Sequence, residues 1–160
     1  MADWNELALE VGALLKDQGQ TVAVAESSSG GLISAALLSV PGASAYFKGG
    51  GACYTGAAKQ MLMGVSDADM KKERASTETH ALVLARSAAS KLGADWGIGE
   101  TGAAGPTGNR YGDAPGHCCV GITGNREKAI TIETKSEDRP ANMVAFTNAA
   151  LTLLRECLKD

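Results

Sequence analysis

Hydrophobic and polar positions along the chain follow two spacings, one typical of amphipathic helices and one typical of short buried strands. Segment 3–19 carries an apolar stripe at helical spacing, with Asp3 available as its N-terminal cap and Gly19 as its end. Four small apolar residues follow closely, and they predict a short buried strand over 21–25. The chain is therefore predicted to begin with a helix and a strand.

The rest of the chain continues this alternation. The spacing predicts helices at 30–40, 56–63, 77–92 and 138–158, strands at 45–54, 95–100, 117–123 and 129–134, and one or two helical turns within 66–74. Alternating strands and helices imply a parallel sheet with helices on both faces, and the hairpin signal Gly124-Asn125 adds an antiparallel strand. Residues 101–116 are rich in Gly and Pro, and loops of this length are usually functional or disordered. We expect one α/β domain over 1–160, with a mixed, mostly parallel sheet of about five strands.

Composition excludes several classes of function. The 160 residues carry a net charge of −3 and no cluster of Lys and Arg, which argues against a nucleic-acid partner. No apolar run approaches the roughly 20 residues that span a bilayer, and the acidic N-terminus lacks the pattern of a signal peptide, so we expect no membrane partner and a cytoplasmic location. The four cysteines form no C-x-x-C pair and are expected to be buried free thiols. Because the chain has only two histidines, a zinc site would need an unusual set of ligands, so we expect no metal. No other cofactor is expected.

Three segments carry residues suited to chemistry, namely 26–31, 54–59 and 101–106. In the first, a strand runs through a Ser/Gly turn into a helix, which gathers N–H groups and hydroxyls at the edge of a sheet, where phosphates and reacting carbonyls are held. A serine hydroxyl attacks a carbonyl only when a base removes its proton. Lys59 is the candidate base, because burial beside an apolar turn lowers the pKa of a lysine. Tyr54 could donate a hydrogen bond to this lysine or relay its proton.

Structural roles stay open for these residues. The serines could serve only as caps of the following helix. Lys59 would ordinarily be solvated, but its pairing with Tyr54 favours a functional role. Glu26 could cap the same helix or orient Lys59. Glu100 is interpreted as a residue at the edge of the loop, with a general acid or base role left open.

The third segment and its surroundings offer groups that could bind anions. Thr101 begins a run of small residues whose N–H groups could form an anion nest or an oxyanion hole. Arg110 and Arg139 are candidate clamps for a phosphate or a carboxylate. A Ser-His-Asp triad is disfavoured, because His80 lies within a helical pattern and His117 opens a strand.

These motifs, in their order, resemble those of the CinA C-terminal domain family, the nicotinamide mononucleotide deamidases (PncC). The family patterns are A-E-S-C-T-G-G, then Y-S-N-E-A-K-x-x-x-L-G-V, then T-G-I-A-G-P, a P-x-G before a strand, and a D-R that opens the last helix. This chain has A-E-S-S-S-G-G at 25–31, Y-T-G-A-A-K at 54–59 with M-G-V at 63–65, T-G-A-A-G-P at 101–106, A-P-G at 114–116 and D-R at 138–139. Its P-G-A-S-A-Y-F at 41–47 also matches the family's P-G-S-S-A-Y-F. The match covers nearly the whole chain.

The resemblance implies an α/β/α sandwich, usually dimeric and without a metal. It implies hydrolysis of the carboxamide of nicotinamide mononucleotide to the acid, with release of ammonia. Ser27 stands at the position of the nucleophile, with Ser29 as the alternative, Lys59 at that of the base and Tyr54 at that of its partner. The N–H groups of 29–31 are expected to hold the oxyanion, and Arg139 with the 102–109 loop is expected to hold the phosphate. The expected substrate-binding residues are Ser29, Gly30, Gly31, Thr101, Gly102, Gly105 and Arg139.

The chain also departs from the family pattern. Ser28-Ser29 replaces Cys-Thr, and Gly56-Ala57 replaces Asn-Glu, which removes a carboxylate near the lysine. The 107–113 loop differs from the usual glycine-rich one. These departures leave open a nucleotide-binding module of the same fold that has lost the reaction or changed its substrate. A competence or DNA-damage role, which the family name suggests, gains no support from the net charge.

Overall fold

The structure, a computed structural model, describes residues 4–160, and the predicted cap at Asp3 lies outside them. Within that range the chain forms six α-helices, five strands and one 3₁₀ turn. In chain order they are α1 (Trp4–Gln18), β1 (Val22–Glu26), α2 (Leu32–Leu38), the 3₁₀ turn (Ala43–Ala45), β2 (Phe47–Ala52), α3 (Gly56–Met63), α4 (Asp67–Lys72), α5 (Glu78–Leu92), β3 (Trp96–Ala103), β4 (His117–Thr123), β5 (Lys128–Glu133) and α6 (Arg139–Lys159).

The five strands form one sheet in the order β2-β1-β3-β4-β5. Strand β1 pairs in parallel with both β2 and β3. Strand β4 runs antiparallel to β3 and to β5, so four of the five strands point the same way. The predicted mixed, mostly parallel sheet is confirmed, and so is the antiparallel strand of the 124–125 hairpin.

Helices cover both faces of the sheet. On one face α1, α2 and α6 pack on the larger core cluster, which includes Leu15, Trp96 and Phe146. On the other face α3 and α5 pack on a smaller cluster that includes Ala23, Cys53 and Leu84. The result is the expected α/β/α arrangement, in which the four cysteines are buried and free. Among the described helices, none has the length and apolar character that crossing a bilayer requires.

Two glycines of β3 let helix α5 approach the sheet closely. A Cβ at Gly97 would overlap the carbonyl oxygen of Ala85, and a Cβ at Gly99 would overlap that of Ala81. Interiors are packed too densely to absorb such an overlap without a backbone shift. The close approach holds the first turns of α5 against the carboxyl end of β3.

Strand β3 is longer than predicted. It was expected to end at residue 100, but it continues to Ala103, because Thr101 pairs with Cys119 and Ala103 pairs with His117 of β4. The irregular loop therefore begins at residue 104.

Helix α2 begins at Leu32, two residues later than predicted. Gly31, which precedes it, has the left-handed conformation, with φ of 102°.

Candidate active site

Three chain segments meet at one edge of the sheet. The serine turn follows β1, Tyr54 follows β2 and the 104–109 loop follows β3. Because these neighbouring strands are parallel, their carboxyl ends lie at the same edge, which is where α/β sheets usually bind ligands. The sheet therefore brings together the three segments that carry the sequence motifs.

Glu26 holds the start of α2. Its carboxylate accepts hydrogen bonds from the N–H groups of Gly31 at 2.9 Å, Ile33 at 3.0 Å and Ser34 at 2.8 Å, and from the Ser34 hydroxyl at 2.8 Å. These N–H groups are the ones a helix leaves unpaired at its N-terminus. Of the two roles considered for Glu26, the contacts show the helix cap.

Glu100 is fully buried on β3, so its interpretation as a residue at the edge of a loop is wrong. Its Oε2 accepts the N–H groups of Ser27 and Ser29, each at 2.9 Å, and lies 2.8 Å from the Ser29 hydroxyl. Its Oε1 accepts the Ser28 hydroxyl and, at 3.5 Å, the thiol of Cys118. Burial and the neighbouring Glu100 raise the pKa of the Cys118 thiol, which keeps it a donor. Glu100 therefore fixes the shape of the serine turn through hydrogen bonds from the adjacent strand β3.

The three serines of the turn differ in availability. The Ser29 hydroxyl is buried between Glu26, at 2.6 Å, and Glu100, and its single proton can be donated to only one of them. The Ser28 hydroxyl is bound to Glu100. The Ser27 hydroxyl has no hydrogen-bond partner within residues 4–160, and Ser27 lines a cavity of about 190 Å³. Ser27 is thus the serine of this turn that is open to a ligand.

The N–H groups expected to form an oxyanion hole are already occupied. The N–H of Ser29 donates to Glu100, that of Gly30 to the carbonyl oxygen of Ser27 at 3.1 Å, and that of Gly31 to Glu26. The expectation that they hold an oxyanion is therefore not supported by their contacts, although Gly30 does line the Ser27 cavity.

Lys59 lies on α3 and is 4% exposed. Burial lowers the pKa of its ammonium group, while Glu100 and Cys53 oppose that shift. Its Nζ lies 2.9 Å from Nε2 of His80, and it makes no hydrogen bond to the serine turn within the described chain. The structure thus contains the buried lysine that the sequence predicts, with a histidine as its partner.

His80 is a site residue that sequence reasoning missed. It lies in α5, and burial together with the charge of Lys59 lowers its pKa from 6.5 to about 4. The imidazole is therefore neutral near pH 7, and its Nε2 can accept a hydrogen bond from Lys59, while its buried Nδ1 has no hydrogen-bond partner among the described residues. The sequence did contain a signal that His80 is buried. At a spacing of four residues it shares one face of the predicted helix with Leu84 and Ala88, which are apolar and buried.

Tyr54 stands between the serine and the lysine. Its side chain is 62% exposed, and its hydroxyl accepts a hydrogen bond from Nη2 of Arg139 at 3.4 Å rather than contacting Lys59. It lines the Ser27 cavity and also a cavity of about 280 Å³ that contains Lys59 and His80. Ser27 and Lys59 therefore face two cavities that share Tyr54, without touching each other.

The third segment supplies the other wall. Gly102 and Gly105 line a third cavity of about 190 Å³, together with Tyr54 and Arg139. Nη1 of Arg139 donates to the carbonyl oxygen of Gly105 at 2.5 Å. Thr101 is buried instead, and its Oγ1 accepts the N–H of Ser76 at 3.0 Å, so its hydroxyl shapes the backbone. Over residues 4–160, no three His, Cys, Asp or Glu side chains cluster as metal ligands.

The family model described as the CinA C-terminal domain matches residues 4–158. The chain belongs to the CinA C-terminal domain family. A CinA-like protein from Picosynechococcus sp. is 37% identical over 162 residues, an alignment that covers 99% of this chain and 39% of that protein. The CinA domain described here therefore spans about two fifths of the length of the curated relatives it matches.

Solved structures share the fold of this CinA domain. A competence/damage inducible protein from Agrobacterium tumefaciens superposes with a TM-score of 0.90 at 27% identity, covering 100% of this chain and 98% of that one. A CinA superfamily protein from Klebsiella pneumoniae superposes with a TM-score of 0.91 at 23% identity, covering 99% of both chains. The α/β architecture is thus that of the CinA superfamily.

Proposed function

We propose that this CinA domain is an amidohydrolase that converts the carboxamide of nicotinamide mononucleotide to the carboxylate and releases ammonia. The observation that carries the proposal is the state of Ser27. Ser27 and Ser28 both line the cavity, but only the Ser27 hydroxyl has no hydrogen-bond partner within residues 4–160. The family motifs and the lowered pKa of the nearby Lys59 support the same chemistry.

The first half of the reaction is acyl transfer to Ser27. Lys59, as the free amine, takes the proton of the Ser27 hydroxyl while Oγ attacks the amide carbon. Nζ contacts His80 in the structure, so this step requires the flexible four-carbon side chain of Lys59 to leave His80 and turn toward Ser27. The tetrahedral intermediate collapses by breaking the C–N bond, and the ammonium of Lys59 returns the proton to the departing nitrogen. Water then attacks the acyl ester and regenerates the Ser27 hydroxyl.

Two side chains that line the Ser27 cavity can stabilise the negative charge of the intermediate. Tyr54 and Arg139 both carry donors, and they already contact one another at the cavity wall. Donors placed in advance around a developing oxyanion are commonly the largest electrostatic contribution to such catalysis. Arg139 and the 102–109 loop, which share the third cavity, are the proposed contacts to the phosphate end of the nucleotide.

The test is an ammonia-release assay with nicotinamide mononucleotide. Wild type and Lys48→Ala, a change at an exposed lysine of β2, are expected to be equally active, whereas Lys59→Ala and Ser27→Ala are expected to lose at least about a hundredfold in kcat/KM. If the wild type is active and Lys59→Ala keeps full activity, Lys59 is not the base and the mechanism is wrong.

A second candidate function is a nucleotide-binding module without turnover. The contact that favours it is the hydrogen bond between Lys59 and His80, which occupies the amine, together with the absence of a carboxylate at Gly56-Ala57. Tight binding of the mononucleotide by calorimetry without ammonia release would support this candidate. A homodimer and a cytoplasmic location stay predictions, and sedimentation of the purified chain tests the first.

A further inference from the structure

The cavity that contains Lys59 has an unexplained cationic rim. Its volume is about 280 Å³, and its lining includes three side chains that we call the rim: Arg74, from the segment between α4 and α5, and Arg110 and Tyr111, from the loop after β3. Of this lining, the proposed amidohydrolase reaction uses Lys59 and Tyr54 and gives the three rim side chains no role. The loop that supplies Arg110 is the 107–113 segment, where the chain departs from the family pattern.

Two guanidinium groups lie near the ring of Tyr111. The guanidinium carbon of Arg74 is 4.8 Å from the centre of the ring and that of Arg110 is 5.0 Å from it. Nη2 of Arg110 also donates to the Tyr111 hydroxyl at 2.9 Å. Stacking on an aromatic face orients a guanidinium group while leaving its edge N–H groups available to an acceptor.

The loop that presents these side chains is fixed by its own hydrogen bonds. Oδ1 of Asn109 accepts the N–H groups of Tyr111 at 3.0 Å and Asp113 at 3.1 Å. Nδ2 of Asn109 donates to Oδ2 of Asp113 at 2.8 Å. An asparagine that binds the backbone ahead of it in this way stabilises a turn, so the rim is organised before any ligand arrives.

The two arginines differ in their charge balance. Arg74 makes a two-point contact with Asp113, at 2.8 and 3.3 Å, and the pKa of the Asp113 carboxyl is lowered by that contact, so Asp113 stays charged and neutralises Arg74. Arg110 has no carboxylate partner within residues 4–160. The rim therefore carries one positive charge in excess, on an arginine with unused N–H groups that faces a cavity.

We infer that this cavity is a binding subsite for a phosphate monoester or free phosphate, in which Arg110, stacked on Tyr111 beside Arg74, supplies the charge and the donors. Planar guanidinium groups bind phosphate oxygens in pairs, which matches a fixed arginine at a cavity mouth. The subsite itself does not depend on catalysis. Its assignment to the phosphate of the substrate rests on the proposed amidohydrolase function. Because a mononucleotide has one phosphate, that assignment would replace the phosphate contact proposed above for Arg139 and the 102–109 loop.

The first measurement is calorimetric binding of inorganic phosphate to the wild type, Arg110→Gln and Arg126→Gln. Arg126 is an exposed arginine of the β4–β5 turn, so its change removes the same charge away from the cavity. We expect Arg110→Gln to weaken phosphate binding about tenfold and Arg126→Gln to leave it unchanged. Arg110→Lys, which keeps the charge but not the fork, is expected to recover only part of the affinity.

The second measurement separates the two sources of phosphate. If the subsite holds the substrate's phosphate, Arg110→Gln raises KM for nicotinamide mononucleotide about tenfold at constant kcat and leaves KM for nicotinamide riboside, which has no phosphate, unchanged. If it holds free phosphate, KM for the mononucleotide is unchanged and phosphate binding alone is weakened. The inference is overturned if Arg110→Gln alters neither phosphate binding nor KM. Because phosphate binding needs no turnover, an inactive wild type would refute the proposed function and leave this test intact.

Discussion

Replacing Glu26 by glutamine isolates the contribution of the carboxylate that caps helix α2. Oε1 of Glu26 accepts the N–H groups of Gly31 and Ile33 and lies 2.6 Å from the Ser29 hydroxyl, which it shares with Glu100. Oε2 accepts two hydrogen bonds, from the N–H and the hydroxyl of Ser34. Glutamine has one acceptor oxygen where glutamate has two. We expect that oxygen to take the position of Oε1, which leaves the NH₂ group facing Ser34.

The cost follows from the group that loses its partner. The Ser34 hydroxyl can rotate and accept a hydrogen bond from the new NH₂ group, but the Ser34 N–H then faces a donor. The Ser34 N–H is only partly buried, so the loss of its partner costs about 1 kcal/mol, and removal of the negative charge from a helix N-terminus costs about 1 kcal/mol more. We therefore expect Glu26→Gln to lower the free energy of unfolding by about 2 kcal/mol.

Urea unfolding followed by circular dichroism measures this change, with the slope m as a check that the unfolded state is unaltered. Glu137→Gln is the matched control, since Glu137 is exposed and precedes the last helix without a side-chain contact in the described structure. The reasoning is refuted if Glu26→Gln lies within about 0.5 kcal/mol of Glu137→Gln, the range expected of a surface change.

Three further predictions concern the lysine, the histidine and the tight packing of β3. Between pH 6.5 and about 4 the unfolded chain binds a proton at His80 that the folded chain excludes, so His80 makes the free energy of unfolding rise with pH across that window, by about 3 kcal/mol in total. In urea unfolding, the free energy of unfolding of the wild type relative to His80→Gln should therefore rise by this amount from pH 4 to pH 6.5. A difference between the two proteins that does not change with pH would contradict the lowered pKa. If Lys59 acts as the free amine, kcat/KM should rise with pH to a plateau through a pKa below 10.5, and a rise centred at or above that value would exclude a buried amine as the base. Gly99→Ala should lower the free energy of unfolding by about 3 kcal/mol, because its Cβ would overlap the carbonyl oxygen of Ala81. Gly56→Ala, at the start of α3, should change it by under about 1 kcal/mol, and equal values for the two variants in urea unfolding would show that α5 can move.

The sequence predicted the helices and strands well where local signals decide them. Gly19 was expected to end the first helix, and the helices predicted over 56–63 and 77–92 are followed by Gly64 and Gly93. Each of these glycines takes the left-handed conformation that suits a residue just after a helix. Helix α3 has the predicted bounds. The last three residues of β3 were missed because Thr101 to Ala103 look like loop by composition, and only pairing with β4 makes them a strand.

The sequence predicted several individual residues of the site but not the hydrogen bonds that join them. Motifs identified the serine turn, Lys59 and Tyr54, since each has a local spacing that can be recognised. The roles of Glu100 and His80 depend on contacts across the fold, with Ser27 73 residues before Glu100 and Lys59 21 residues before His80. Such contacts are set by sheet order and by the close packing of α5 on β3, which no local pattern encodes.

The account depends most directly on Ser27 as the atom that carries the acyl group. Wild type mixed with nicotinamide mononucleotide, quenched with acid during turnover and digested, can be mapped by mass spectrometry for a covalent adduct. We predict a nicotinoyl-nucleotide mass on the peptide that contains Ser27, with fragment ions that place it on Ser27, and no adduct with Ser27→Ala. An active enzyme whose adduct lies on Ser29, or whose Ser27→Ala variant still releases ammonia at the wild-type rate, would contradict the account.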